Sequence, residues 1–383
     1  MWALDPAVVF LNHGSFGACP RPVLERQQRL REELEREPVR FLSRELEGRL
    51  DEARAALGRF VGADPDDLAF VPNATSGVNT VVHALPLAAG DEVLTTDHAY
   101  NACRNAIARA AARAGAGLVV AAVPFPLADA AEVVDAVLKA VTPRTRLAVL
   151  DHVTSPTGVV FPLDRLVSAL AARGVDTLVD GAHAPGMLPL DLTRLGAAYY
   201  AGNCHKWLCA PKGAAFLHVR RDRQAAIRPL VTSHGASSPR SDRSRFRLEF
   251  DWTGTQDPTA WLSVPEALAV MGAALAGGWP ALMTRNRALA LEARALLCDA
   301  LGIQPPCPDA MLGALAAVPL PDAARPEPPA GDRLQDLLLE RFAIEVPVLA
   351  WPAPPCRLLR VSCQIYNEPA HYERLAEALK MLL

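Results

Sequence analysis

The sequence predicts an α/β fold: a mainly parallel sheet covered by helices, followed by a smaller α+β lobe. Three observations predict it. Short apolar runs alternate with amphipathic helical stretches between residues 68 and 220. Polar residues gather just after those runs. From about residue 262 the texture changes to long helical patterns with few strands. Apolar strands alternating with amphipathic helices are the pattern of a sheet buried on both faces, and ligands of such sheets sit at the carboxyl ends of the strands.

The elements follow in order. Residues 22–62, rich in Arg, Glu and Leu, read as two helices around Pro38. Strands are predicted at 68–71, 92–96, 117–123, 146–153, 176–183, 197–203 and 214–220, with helices at 77–85, 100–114, 129–141 and 163–173. A helical stretch at 262–301 is interrupted near "GGWP" (277–280). Beyond it come a strand at 312–320, a Pro-rich loop at 322–331 and a helix at 332–342. Strands near 344–350 and 358–363 and a terminal helix at 369–382 complete the chain.

Composition narrows the function. The 383 residues, 51% hydrophobic, are ample for two lobes, and a net charge of −3 gives no footprint for nucleic acid. No apolar run approaches the ~20 residues of a membrane span. The N-terminus lacks the basic and apolar regions of a secretory leader. Eight scattered cysteines without a CxxC pair read as reduced, mostly buried cytoplasmic thiols.

The strand ends carry the chemistry. "VPNATSGVNTVV" (71–82) places Asn73, Thr75, Ser76 and Gly77 at a helix start, which suits a phosphate and equally an ordinary N-cap. "LVDGAHAPG" (178–186) ends a buried strand on Asp180, and a buried carboxylate needs a partner: a protonated ring nitrogen, an arginine or a turn N–H. His183 follows, as a site residue or a core histidine. "DHVTSPTGV" (151–159) and "DHAYNA" (97–102) end two further strands on polar groups.

"AGNCHKWLCAPKG" (201–213) holds two of the chain's four lysines, Lys139, Lys206, Lys212 and Lys380. Cys204, His205 and Cys209 match no zinc spacing. Lys206, beside His205, Trp207 and Leu208, is set for partial burial. Burial lowers an amine pKa toward the neutral form that attacks an aldehyde. Phosphate anchor, strand-end carboxylate and secluded lysine together make the layout for pyridoxal phosphate.

These segments, with "LNHGSFGACP" (11–20), "TGTQD" (253–257) and "RVSCQIYN" (360–367), resemble the class V aminotransferase family of fold type I pyridoxal-phosphate enzymes, and within it the isopenicillin N epimerase-like group. The resemblance implies three parts: a substrate-lining segment (1–20), a large cofactor domain (21–262) and a small domain (263–383). It implies that Lys206 forms the Schiff base and moves the α-proton, that Asp180 holds the pyridine nitrogen protonated, and that His183 and Ser155 lie near the phenolic oxygen. Thr75, Ser76, Asn203 and His205 would bind the phosphate, and Gly254 and Thr255 would reach it from the partner of a homodimer. Tyr100 would stack on the ring, with His98 the alternative. Arg360 would clamp the substrate carboxylate, and Asn12 and His13 would line the substrate pocket. Lys212, in a turn-like "PKG", reads as structural or as a surface charge.

The resemblance leaves the reaction open among epimerisation, C–S lysis of cysteine derivatives and transamination, in that order. A second proton donor for epimerisation would be Tyr100 or His13. Desulfuration is disfavoured because Cys356 lies only four residues before Arg360. The alternative of another class, a catalytically silent binding protein, is opposed by the presence of Lys206, Asp180 and Arg360.

Overall fold

A computed structural model of the chain describes residues 1–323 and 332–383. Its strands are β1 (Val9–Phe10), β2 (Leu68–Val71), β3 (Glu92–Thr96), β4 (Gly117–Ala121), β5 (Thr145–Asp151), β6 (Asp176–Gly181), β7 (Tyr199–Asn203) and β8 (Ala215–Val219). The second half adds β9 (Leu315–Leu320), β10 (Ile344–Glu345), β11 (Val348–Ala350) and β12 (Arg357–Ser362). Seven strands form one sheet in the order β2-β8-β7-β6-β5-β3-β4. β3 to β7 pair in parallel, and only β8 runs against its neighbours. The expected parallel sheet is therefore present. Leu178, Val179, Tyr200, Phe216 and Leu217 are wholly buried, and each such apolar side chain contributes roughly 1.5–3 kcal/mol.

Local chemistry sets the boundaries. The predicted strand at 176–183 stops at Gly181 because the Asp180 carboxylate accepts the Ala182 N–H at 3.0 Å. That side-chain turn takes the chain out of the sheet and leaves His183 beyond its edge. The predicted helix at 77–85 starts earlier, as Ala74–Ala84, because Asn73 caps it through the Ser76 N–H at 2.8 Å. Pro38 closes the helix Arg21–Arg36 and opens the next segment, which runs through a π-turn at Phe41–Glu45 into Leu46–Val61. Gly277, at φ 93°, separates Val264–Gly272 from Gly278–Leu301.

The single strand expected near 344–350 is split at Pro347, which has no N–H to donate. β10 pairs in parallel with β1, whereas β11 joins β12 and β9 in an antiparallel sheet. The first residues of the chain are thus tied to its last third. Leu11 N–H donates to Glu345 O at 2.9 Å, Ser362 N–H to Leu11 O at 2.8 Å, and Gly14 N–H to the Ser362 hydroxyl at 2.9 Å. This stitching carries the loop after Leu11 across the strand ends of the large sheet. Of the Pro-rich loop expected at 322–331, residues 324–331 lie outside the described residues.

Candidate active site

A cavity of about 440 Å³ opens at the carboxyl ends of β2, β5, β6 and β7. Asn73, Asp151, Asp180 and Asn203 reach it from those four strand ends. Lys206 and His205 follow β7, Tyr100 follows β3, and Ser15, Phe16 and Gly17 come from the N-terminal loop.

Asp180 is 4% exposed. One of its oxygens takes the Ala182 N–H, and the other accepts the Cys103 thiol at 3.0 Å. That donation, with burial, holds the Cys103 thiol protonated, far above its ordinary range. Asp151 stands beside Asp180 in the register of β5 on β6. Burial and the Asp180 charge push the Asp151 carboxyl well above the usual carboxylate range.

Lys206 is half-buried. Burial, reinforced by the Arg360 charge and opposed by Asp180, lowers its amine to about 8. Its Nζ lies 3.1 Å from His183 Nε2, and Trp207 Nε1–H donates to His183 Nδ1 at 3.3 Å. His183 is 2% exposed, and burial beside Lys206 and Arg360 keeps its imidazole neutral. The Lys206 backbone is fixed as well. Its carbonyl accepts from Cys209 N–H at 3.0 Å and from His13 Nε2–H at 3.1 Å. Cys209 takes a left-handed φ of 62° to close that turn.

At the other end of the cavity the helix Ala74–Ala84 presents its N-terminus. Asn203 Oδ1 accepts the Ala74 N–H at 2.8 Å, which joins the end of β7 to the helix start. Thr75 lines the cavity. Ser76 does not: its N–H and its hydroxyl both go to Asn73, at 2.8 and 3.0 Å. The predicted phosphate role of Ser76 thus gives way to its place in the cap. His205 donates Nδ1–H to Ala214 O at 2.8 Å, and burial holds its ring at about 4. Lys212 lines the mouth and donates to Gly17 O at 2.5 Å, pinning the N-terminal loop over the site.

Arg360, on β12, is 2% exposed. Nη1 donates to Ser155 O at 2.5 Å and to the Ser155 hydroxyl at 3.2 Å, and Nη2 donates to the Ser15 hydroxyl at 2.6 Å. Its Nε–H is buried with no hydrogen-bond partner among the described residues. All the acceptors it does have are neutral. Burial pulls the guanidinium down to about 10. A buried cation held only by neutral oxygens, with one donor unspent, calls for an anion.

Residues 11–297 match the model of the family described as aminotransferase class V. The chain is 42% identical to an isopenicillin N epimerase of Amycolatopsis lactamdurans, over 99% of this chain and 96% of that protein. The chain belongs to the class V aminotransferase family. It is also 31% identical to a probable chloroplastic L-cysteine desulfhydrase of Arabidopsis thaliana, over 99% of this chain and 84% of that protein. Among solved structures, the cystine C–S lyase C-DES with glycine covalently linked to its PLP cofactor superposes with a TM-score of 0.79 at 24% identity, covering 97% of this chain and 96% of that one. At that identity the likeness speaks for the fold, which is the expected fold type I.

Pyridoxal phosphate, the cofactor of this family, fits the residues present. An amine of lowered pKa, a strand-end carboxylate and a helix N-terminus face one cavity. Of the two candidates for the ring face, Tyr100 lines the cavity at the start of the helix Asn101–Ala114. His98 does not: it is fully buried, bonded to Thr157 Oγ1 at 2.8 Å and to Val123 O at 3.1 Å. Asn12 and His13 are displaced from their expected role. Asn12 Nδ2 donates to Glu345 at 3.0 Å. His13 is wholly buried, with Nδ1 bonded to the Tyr366 hydroxyl at 2.7 Å and Nε2 to the Lys206 carbonyl. Burial drives its ring to about 3, so it is a brace with no free base. The loop reaches the cavity through Ser15, Phe16 and Gly17 instead. Gly254 and Thr255 lie outside the cavity lining of their own chain.

Sequence reasoning missed Asp151, Cys103 and Trp207. Asp151 had a signal: "LAVLD" ends an apolar strand just as "TLVD" does at Asp180. Nothing marked Cys103 or Ser15, whose roles come from contacts across 77 and 345 residues.

Proposed function

We propose that this class V enzyme uses pyridoxal phosphate to labilise a bond at Cα of an amino-acid substrate, with isopenicillin N epimerase-like chemistry. The observation that carries the reading is the low-pKa amine of Lys206 in the cavity, with the buried guanidinium of Arg360 behind the cavity-lining Ser15 and Ser155 and paired only with neutral oxygens. An α-amino acid carries the two groups that such a pair receives. The 42% identity to an isopenicillin N epimerase supports the order of the reactions.

When bound, the cofactor supplies an electron sink for the carbanion left at Cα. The protein supplies the rest. Asp180, held by the Ala182 N–H and the Cys103 thiol, would meet the ring nitrogen. Thr75, Asn203 and His205, at the helix start and beyond β7, would hold the phosphate. His183 Nε2–H and Ser155 would meet the phenolic oxygen. Arg360 fixes the carboxylate, and so the orientation of the bond to be broken. Lys206 Nζ, neutral in part near pH 7, takes the α-proton on its face. For epimerisation a proton must return on the other face. With His13 spent on its two hydrogen bonds, Tyr100 is the hydroxyl available for that step.

A C–S lyase acting on cysteine derivatives is the second reading, favoured by the 31% identity to a probable L-cysteine desulfhydrase. Incubation with a panel of amino acids in D₂O separates the readings. Deuterium at Cα with inversion supports epimerisation, pyruvate with ammonia supports lysis, and a keto acid with an aminated cofactor supports transamination. Absence of all three would overturn the enzymatic reading.

We also propose a homodimer in the cytoplasm. Phe16, at the cavity mouth, is 78% exposed, and Leu230 and Val231 are more than half exposed, which suits a covering partner. Gly254 and Thr255, outside the lining of their own cavity, would serve a second one. The eight cysteines are all unpaired, as in a reducing compartment. No helix among the described residues is long and apolar enough to cross a membrane. Light scattering on the purified enzyme checks the dimer; a monomer at working concentration would refute it.

A further inference from the structure

A short line of nitrogen atoms leads from behind the cavity to the Lys206 amine. It runs from Trp207 Nε1 to His183 Nδ1 at 3.3 Å, and from His183 Nε2 to Lys206 Nζ at 3.1 Å. Trp207 is fully buried and His183 is 2% exposed, so water does not compete for the first contact. An indole N–H is a donor only. It therefore requires a lone pair on His183 Nδ1. A neutral imidazole with a lone pair on Nδ1 carries its proton on Nε2. That Nε2–H points at the Lys206 nitrogen. An ammonium has no lone pair to receive it, whereas a neutral amine has one. The chain of donors runs in one direction and ends on an amine.

We propose that Trp207 is a positioning residue that fixes the Nε2–H tautomer of His183 and thereby disfavours protonation of the Lys206 amine that is to meet the cofactor's aldehyde. With the cofactor bound, the same Nε2–H would be available to its phenolic oxygen. Without the indole N–H, His183 is free to carry its proton on Nδ1. Nε2 would then accept from an ammonium, and the protonated amine would gain a hydrogen bond.

The other charges around the pair are accounted for. Asp180, Asp151 and the Cys103 thiol act on Lys206 toward protonation, and Arg360 acts against it. His183 feels Lys206, Arg360 and His13, all of which disfavour a proton on its ring. None of them selects between the two neutral tautomers. Among the described residues, the indole N–H is the only hydrogen-bond partner of Nδ1.

The inference rests on the assignment of Lys206 as the lysine that captures the cofactor. Its test uses cofactor-free protein, so the reaction catalysed does not enter. Long-range ¹H–¹⁵N spectra of the wild-type apoenzyme should show His183 neutral, with the proton on Nε2. A proton on Nδ1 would overturn the proposal, and this measurement needs no variant. In Trp207→Phe, pH-dependent acylation of Lys206, read by mass spectrometry, should have its midpoint raised by about one pH unit, roughly a tenfold loss of neutral amine at pH 7. A midpoint unchanged in a folded Trp207→Phe protein would refute the role. Failure of Lys206 to capture the cofactor, with the tautomer and midpoint as expected, would instead count against the functional reading.

Discussion

Replacing Arg360 by Lys keeps the charge and removes the fork. The guanidinium spends Nη1 on Ser155 and Nη2 on the Ser15 hydroxyl, and still keeps a buried Nε–H for an incoming carboxylate. A lysine at that position has a single nitrogen to serve Ser155, Ser15 and the substrate. It must give up at least one charge-assisted bond to the carboxylate, and such a bond contributes about 1.5–3 kcal/mol. That corresponds to roughly a 10- to 150-fold weaker hold on the substrate. The assay is a spectral titration of the cofactor-loaded enzyme with an amino acid and with the amine that lacks its carboxylate. Arg360→Lys should weaken the amino acid by that factor and leave the amine unchanged. Equal losses for the two ligands, or none for the amino acid, would show that Arg360 does not receive the carboxylate.

Lys206→Ala should take up no cofactor that borohydride can fix, whereas Lys212→Ala should; the reverse, read by peptide mass spectrometry, would move the role to Lys212. Asp180→Asn should slow Cα–H exchange in D₂O by roughly 10²–10³-fold, since it would remove the carboxylate proposed to meet the ring nitrogen. Gly186→Ala should destabilise the fold, measured as a lower urea midpoint at unchanged slope. Its φ is 88°, and a Cβ there would sit 2.5 Å from the Trp207 backbone, next to Lys206. Stability of the apoprotein should fall between about pH 6.5 and 4, followed by urea melts across that range. His13 titrates at about 3 and His152, His205 and His218 at about 4, all lowered by burial. Below 6.5 the unfolded chain binds protons that the folded one refuses, and each unit of that gap is worth about 1.4 kcal/mol.

The sequence by itself determined the sheet, the cofactor layout and the identity of its main groups. Period and polarity are local properties, and a strand that is apolar until its last residue announces a buried end. β2 and β3 fall where the apolar runs predicted, and Asp180, Lys206 and Thr75 lie at one cavity because strand ends of a parallel sheet point one way. What a residue faces depends on contacts distant in sequence, and these the tertiary structure alone decided. His13 reads as a candidate proton donor and His98 as a candidate for the ring face, yet each has both nitrogens spent on partners elsewhere in the chain. Ser76 sits beside Thr75 but is claimed by its own helix cap. Pro347 sends two halves of one apolar run to different sheets, and that division ties the N-terminal loop over the site. The scarcity of lysine already singled out the stretch around Lys206. Only the packing shows how its amine pKa is lowered, because a pKa is set by burial and by neighbours such as Arg360 that lie 154 residues away.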